Sequence, residues 1–168
     1  MSYFKSRRSA VVARNGSVAT SQPLAAQAGL QILRDGGNAI DAAVATAAVL
    51  NVVEPMSTGI GGDMFALIWD KTERKVVSLN GSGRQAAAAN VADVRKAGYE
   101  SIQNNGEGSQ FAVSVPGTVH GWETALNQYG RMTLREVLKP AIDYALNGFP
   151  VSEVIAHFWS SEDTITKL

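Results

Sequence analysis

Apolar residues recur at helical spacing over Leu24, Ala28, Ile32 and Leu33, which predicts a helix with one buried stripe. Ser21 is placed to cap its start, Pro23 falls close to the first turn, where proline is tolerated, and Gly36-Gly37 ends it. Asn38 can cap a second helix, Ala39-Ile40-Asp41-Ala42-Ala43-Val44-Ala45 and on to about Val52. That helix is apolar on nearly every face and is therefore expected to be buried, with alanines that let neighbouring layers approach. Residues 64–69 and 75–79 read as strands, and the polar turn Asp70-Lys71-Thr72-Glu73 joins them as a hairpin. A first strand is expected over 10–13 and another over 111–115, with a helix over 86–98 and a polar loop over 100–109.

Three helices complete the pattern. The first, Thr118–Tyr129, carries Trp122, Ala125, Leu126 and Tyr129 on one side and stops at Gly130. Thr133 with Glu136 forms a capping box for the next, which turns Leu134, Leu138, Ile142 and Ala145 inward and stops at Gly148. A third starts at about Val151. Strands pair locally, helices lie before and after them, and regular βαβ alternation is missing. The class is α+β rather than a doubly wound sheet, and no linker or repeat divides residues 1–168.

Composition narrows the function. Fifteen basic and 15 acidic residues cancel, so no net field draws the chain to nucleic acid or an anionic membrane. The absence of cysteine removes disulfides, thiolate catalysis and cysteine-based metal sites. Lys5, Arg7 and Arg8 imitate the basic end of a signal peptide, but the apolar run after them breaks at Arg14, short of the ~7–15 residues such a core needs. With no run of ~18 apolar residues either, the expectation is a soluble, cytoplasmic chain.

The loop Ser57-Thr58-Gly59-Ile60-Gly61-Gly62-Asp63 is glycine-rich but is no dinucleotide fingerprint, because a helix precedes it and a strand follows. Its glycines read as structural, chosen for positive φ, although such a loop can also present N–H groups to an anion. Arg84 stands out at the end of a strand, after Asn80-Gly81-Ser82-Gly83, where glycines let a ligand come near the backbone. Its planar fork suits a carboxylate gripped by two charge-assisted bonds; alternatively it is one of nine arginines and merely solvated or salt-bridged. His120 and His157 lie far apart and read as packing or surface residues. No metal-ligand spacing, cofactor motif, Gly-x-Ser-x-Gly elbow or carboxylate pair is present, so the chain offers one candidate binder and no candidate nucleophile.

Five segments, in order, resemble one family. Ser21-Gln22-Pro23-Leu24-Ala25-Ala26 through Gly36-Gly37-Asn38-Ala39-Ile40-Asp41-Ala42-Ala43 resembles the opening of γ-glutamyltransferases, as does Val53-Glu54-Pro55-Met56 continuing into the loop above. Leu79-Asn80-Gly81-Ser82-Gly83-Arg84, then Val115-Pro116-Gly117 with Gly121, then Gly148-Phe149-Pro150-Val151 follow suit. The Gly-Gly-Asp and Asn-Gly-Ser-Gly-Arg versions are most similar to the bacterial branch that includes cephalosporin acylases.

The resemblance implies an N-terminal-nucleophile hydrolase fold, a four-layer αββα sandwich of which residues 1–168 are a partial domain from the front of the large subunit. It implies a precursor that cuts itself, freeing an N-terminal threonine in a small subunit as nucleophile, with its own α-amino group as base. The γ-glutamyl group of an amide such as glutathione passes to that threonine and then to water or an acceptor amine. The family arginine that grips the substrate α-carboxylate falls on Arg84; no metal or cofactor is implied. Gln85-Ala86 departs from the usual Glu or Ala followed by Pro. Thr164 and Thr166 lack the sheet context of the nucleophile, so the chain is expected to be inactive alone, its strand edges waiting for the small subunit. An acylase of glutaryl-type amides, or a non-catalytic relative serving as a binding module, remain open beside this reading.

Overall fold

The computed structural model describes residues 9–102 and 108–160. The basic start Lys5, Arg7 and Arg8, five residues of the expected polar loop, and Thr164 and Thr166 lie outside the described residues.

Helix α1, Pro23–Arg34, begins with proline at its first position, and its cap is Gln22 rather than the expected Ser21. The Gln22 side chain accepts the Leu24 N–H, while the Ser21 hydroxyl donates to Glu54 Oε2 at 2.6 Å. Helix α2, Ala39–Val53, starts with a reciprocal cap: Asn38 Oδ1 accepts from Ile40 and Asp41, and Asp41 Oδ2 accepts the Asn38 N–H at 2.7 Å. As its all-round apolarity demands, α2 is the core helix. Helix α1 packs on one side, α5 (Leu134–Asn147) on another and α4 (Thr118–Tyr129) along a shorter contact. Gly29 makes the α1–α2 approach possible, since a Cβ there would stand 2.2 Å from Thr46 Oγ1.

Strands β1 (Met64–Asp70) and β2 (Lys75–Gly81) pair antiparallel from Met64↔Gly81 to Asp70↔Lys75. Asp70 Oδ1 accepts the N–H groups of Thr72 and Glu73 at 2.8 and 3.1 Å, which shapes the expected turn. One face of the hairpin, with Met64 and Ile68, rests toward α4, and Gly121 of α4 lets Met64 close in. The other face is open: Phe65, Leu67, Trp69 and Val76 are 60–80% exposed. Each strand also has an unpaired outer edge among the described residues, as the sequence led one to expect.

Four expectations are corrected. Residues 10–13 form no strand and lie exposed, since an apolar run makes a strand only with a partner to pair it. Over 111–115 there is a 3₁₀ helix, Ser109–Ala112, and then a single bridge, Gln85↔Ser114. The helix expected over 86–98 shrinks to α3, Val91–Lys96, because Asn90 caps it by accepting the Asp93 N–H. In α5 the buried stripe is rotated: Leu134 and Leu138 pack on the core as expected, but Val137 and Ala141 are its buried residues, and Ile142 and Ala145 are exposed. Helix α6, Glu153–Trp159, fits the expected third helix. No helix among the described residues is long and apolar enough to cross a membrane.

Candidate functional site

The glycine-rich loop before β1, the exit of β2 and the segment leading into α4 meet at one place. Their contact is backbone on backbone. A Cβ on Gly83 would lie 1.6 Å from the Val115 carbonyl oxygen, and one on Gly117 would lie 2.3 Å from the Gly81 oxygen. Glycine is required at both positions by this close approach. By contrast, Gly59, Gly61 and Gly62 have ordinary φ and open or nearly open surroundings, so the expected positive-φ reason for that loop is not the one that holds.

Hydrogen bonds lock the three segments. The Gly62 carbonyl accepts the N–H groups of Gly117 and Thr118 at 3.0 and 3.1 Å, capping the N-terminus of α4 where no side chain does so. Asp63 Oδ1 accepts the Gly83 N–H at 2.7 Å and, at the 3.5 Å limit, the Ser114 hydroxyl. Val115 N–H donates to the Arg84 carbonyl at 2.8 Å. Arg84 thus sits on a fixed segment, with its main chain held on both sides. Its side chain is exposed and makes no ion pair or hydrogen bond among the described residues. The salt-bridged alternative for Arg84 is therefore not what the described residues form.

His120 and His157 are both exposed and far from a common site; His157 stacks edge-on against Phe158 at 5.3 Å. Among the described residues no group of three or more His, Cys, Asp and Glu could hold a metal ion. A concavity of about 1110 Å³ lies away from this cluster, between residues 13–20 and helices α1 and α2. Its lining is mostly apolar, with Arg14 and Arg34 its only charged residues, so it offers cover for an apolar surface rather than chemistry.

Sequence reading passed over two residues here. Asp63 entered only as the end of a loop, and nothing in its spacing announced a bond to Gly83. Thr118 is buried beside Gly62 with its hydroxyl unpartnered among the described residues, a feature that only burial reveals.

The family profile described as gamma-glutamyltranspeptidase matches residues 25–168. The chain is 48% identical over 143 residues to the glutathione hydrolase-like YwrD proenzyme of Bacillus subtilis (strain 168), a match covering 84% of this chain and 26% of that protein. It is 41% identical over 150 residues to the acylase ACY 1 proenzyme of Pseudomonas sp. (strain V22), again covering 84% and 26%. Among solved structures, the cephalosporin acylase from Bacillus halodurans superposes with a TM-score of 0.85 at 47% identity, over 99% of this chain and 30% of that one. Helicobacter pylori gamma-glutamyltranspeptidase gives 0.81 at 33%, over 95% and 45%. The chain spans about a quarter of the length of these curated relatives. The mixed helix-and-strand chain is thus a portion of an α+β fold of the N-terminal-nucleophile hydrolase type. Profile, relatives and superpositions agree with the motifs that meet at Arg84: the chain belongs to the gamma-glutamyltranspeptidase family.

Proposed function

We propose that this chain is part of the large subunit of a γ-glutamyl amide hydrolase or transferase, and that Arg84 receives the α-carboxylate of the donor. The observation that carries the reading is the state of Arg84: a guanidinium with no ion-pair partner among the described residues, on a segment fixed by Asp63 and Val115. A free fork on a rigid mount is what a bidentate carboxylate site needs, because little freedom is lost on binding. In the reaction the nucleophile is an N-terminal threonine of a small subunit outside this chain. Its Oγ attacks the γ-carbonyl while its α-amino group takes the proton; the amine leaves, and water or an acceptor amine then takes the glutamyl group. This chain alone does not turn over donor, and residues 1–168 are part of a domain that the small subunit completes. The open hairpin face of Phe65, Leu67, Trp69 and Val76 supports that partner, since so much apolar sheet surface calls for a covering layer.

The test is Arg84→Ala in the full-length protein, with donor kinetics and self-cleavage measured side by side. A raised KM for γ-glutamyl donors with self-cleavage preserved is expected; equal loss of both would assign Arg84 to folding and overturn the reading. The 47% identity to a cephalosporin acylase favours a second substrate class, amides of glutaryl type. Donors with and without the α-amino group separate the two, because a glutaryl amide lacks it.

A further inference from the structure

We propose that Asp63 is a positioning residue for the donor site: it pins the Gly83–Arg84 segment and so sets where the guanidinium of Arg84 stands. The inference rests on the reading of Arg84 given above and names what that residue depends on.

Asp63 directly precedes β1, and Gly83 follows β2 by two residues, so the base of the hairpin brings them together. One carboxylate oxygen, Oδ1, then reaches all three segments of the cluster: its own loop, the Gly83 N–H at 2.7 Å and the Ser114 hydroxyl at 3.5 Å. The segment is held after Arg84 by a main-chain bond, from Val115 N–H to the Arg84 carbonyl. Before Arg84 it is held by a side chain, that of Asp63. A carboxylate is a stronger acceptor for an N–H than a carbonyl is, and Gly83, pressed against the Val115 carbonyl because it carries no side chain, is a fixed point to bind. No hydrogen bond or ion pair among the described residues steers the Arg84 side chain itself. Its direction is therefore inherited from the main chain, and a loosened segment is transmitted to the fork without compensation. A 1 Å error at a bidentate carboxylate site is enough to lose one of its two bonds.

The test compares Asp63→Ala, Asp63→Asn, Arg84→Ala and the Asp63→Ala/Arg84→Ala double variant in the full-length, self-processing protein. Two readouts are taken: donor KM and kcat, and hydrogen exchange of the Gly83 amide in a peptide spanning residues 81–85. Asp63→Ala should raise donor KM roughly tenfold with kcat within about threefold, and speed exchange at Gly83 by a similar factor. Asp63→Asn keeps a neutral Oδ1 acceptor and should recover most of both effects. The double variant should be no worse in KM than Arg84→Ala, since both changes act on one contact. An unchanged KM in Asp63→Ala, where Arg84→Ala does raise it, overturns the proposal and leaves the donor-site reading standing. If Arg84→Ala itself leaves KM unchanged, the donor-site reading falls, and an unaltered Gly83 exchange rate in Asp63→Ala then overturns the pinning as well.

Discussion

The carboxylate of Asp41 accepts the main-chain N–H of Arg131, at 3.0 Å through Oδ1 and 3.1 Å through Oδ2, across 90 residues of sequence. The same group takes the N–H of Met132 at 3.1 Å and of Asn38 at 2.7 Å, while Asn38 Nδ2 donates to the Tyr129 carbonyl at 2.6 Å. Two side chains at the start of α2 thereby hold the turn between α4 and α5. Asp41 is fully buried, and every bond it accepts comes from the main chain.

Asp41→Ala strands three part-buried main-chain donors, where a fully buried one costs about 1–3 kcal/mol when unpaired. We expect a stability loss of about 3 kcal/mol or more, read as a fall in thermal midpoint of the full-length protein. Asp41→Asn keeps one acceptor oxygen but turns an NH₂ group toward an N–H, and should fall between the two. A midpoint unchanged in Asp41→Ala would remove the turn from the list of what holds the helices together.

At Arg84, lysine is the sharper probe than alanine. Lys keeps the charge but loses the planar fork, so Arg84→Lys should still raise donor KM roughly tenfold if two parallel bonds hold the carboxylate. A lysine variant equal to wild type would mean that charge alone suffices there.

The α1–α2 seam predicts a compensating pair. Gly29→Ala places its Cβ against Thr46 Oγ1, whose hydroxyl otherwise donates to the Ala42 carbonyl at 2.7 Å. The single change should destabilise by about 1–3 kcal/mol, as overpacking does. Adding Thr46→Ala should recover part of that loss, although Ala42 O and Val18 stay close to the new methyl. Denaturant unfolding of the singles and the double gives the coupling directly.

The start of α5 carries a pH signature. The main-chain N–H of Thr133 and then its hydroxyl, each 2.7 Å from Glu136 Oε2, hold the Glu136 carboxyl below its ordinary value of 4.5. A carboxyl lowered in the folded state adds stability that is complete above its unfolded value and is lost as pH falls through the folded one. The stability advantage of wild type over Glu136→Gln should therefore shrink steadily as pH is taken below about 4.5. An advantage that grows on acidification would contradict the capping geometry.

Where periodicity and caps coincide, the sequence was easy to read. Asn38, and Thr133 with Glu136, announce helix starts that the structure keeps to the residue, and the hairpin follows from two apolar runs around a polar turn. Caps that rest on one side chain were harder: Asn90 starts α3 well inside the expected helix, and Gln22 displaces Ser21. The buried face of α5 could not be fixed by spacing alone, because Val137 and Ala141 fit the same period as Ile142 and Ala145; only the position of α2 decides. At the candidate site, Arg84 and the glycines were visible as residue types. The bond from Gly83 to Asp63 and the buried hydroxyl of Thr118 were not, since they arise from segments 20 and 56 residues apart meeting in space.

Gly81, Gly83 and Gly117 divide the neighbourhood of Arg84 into positions that can vary and positions that cannot. Most of the frame there is main chain pressed on main chain, and the side chain of Asp63 ties it in before Arg84, so few side chains can let its shape drift. Ser82 and Gln85 are exposed on either side of that frame. On the reading of Arg84 proposed above, diversity in the acyl group accepted is to be sought at those two residues. Saturating the three glycines would return mostly chains that do not assemble.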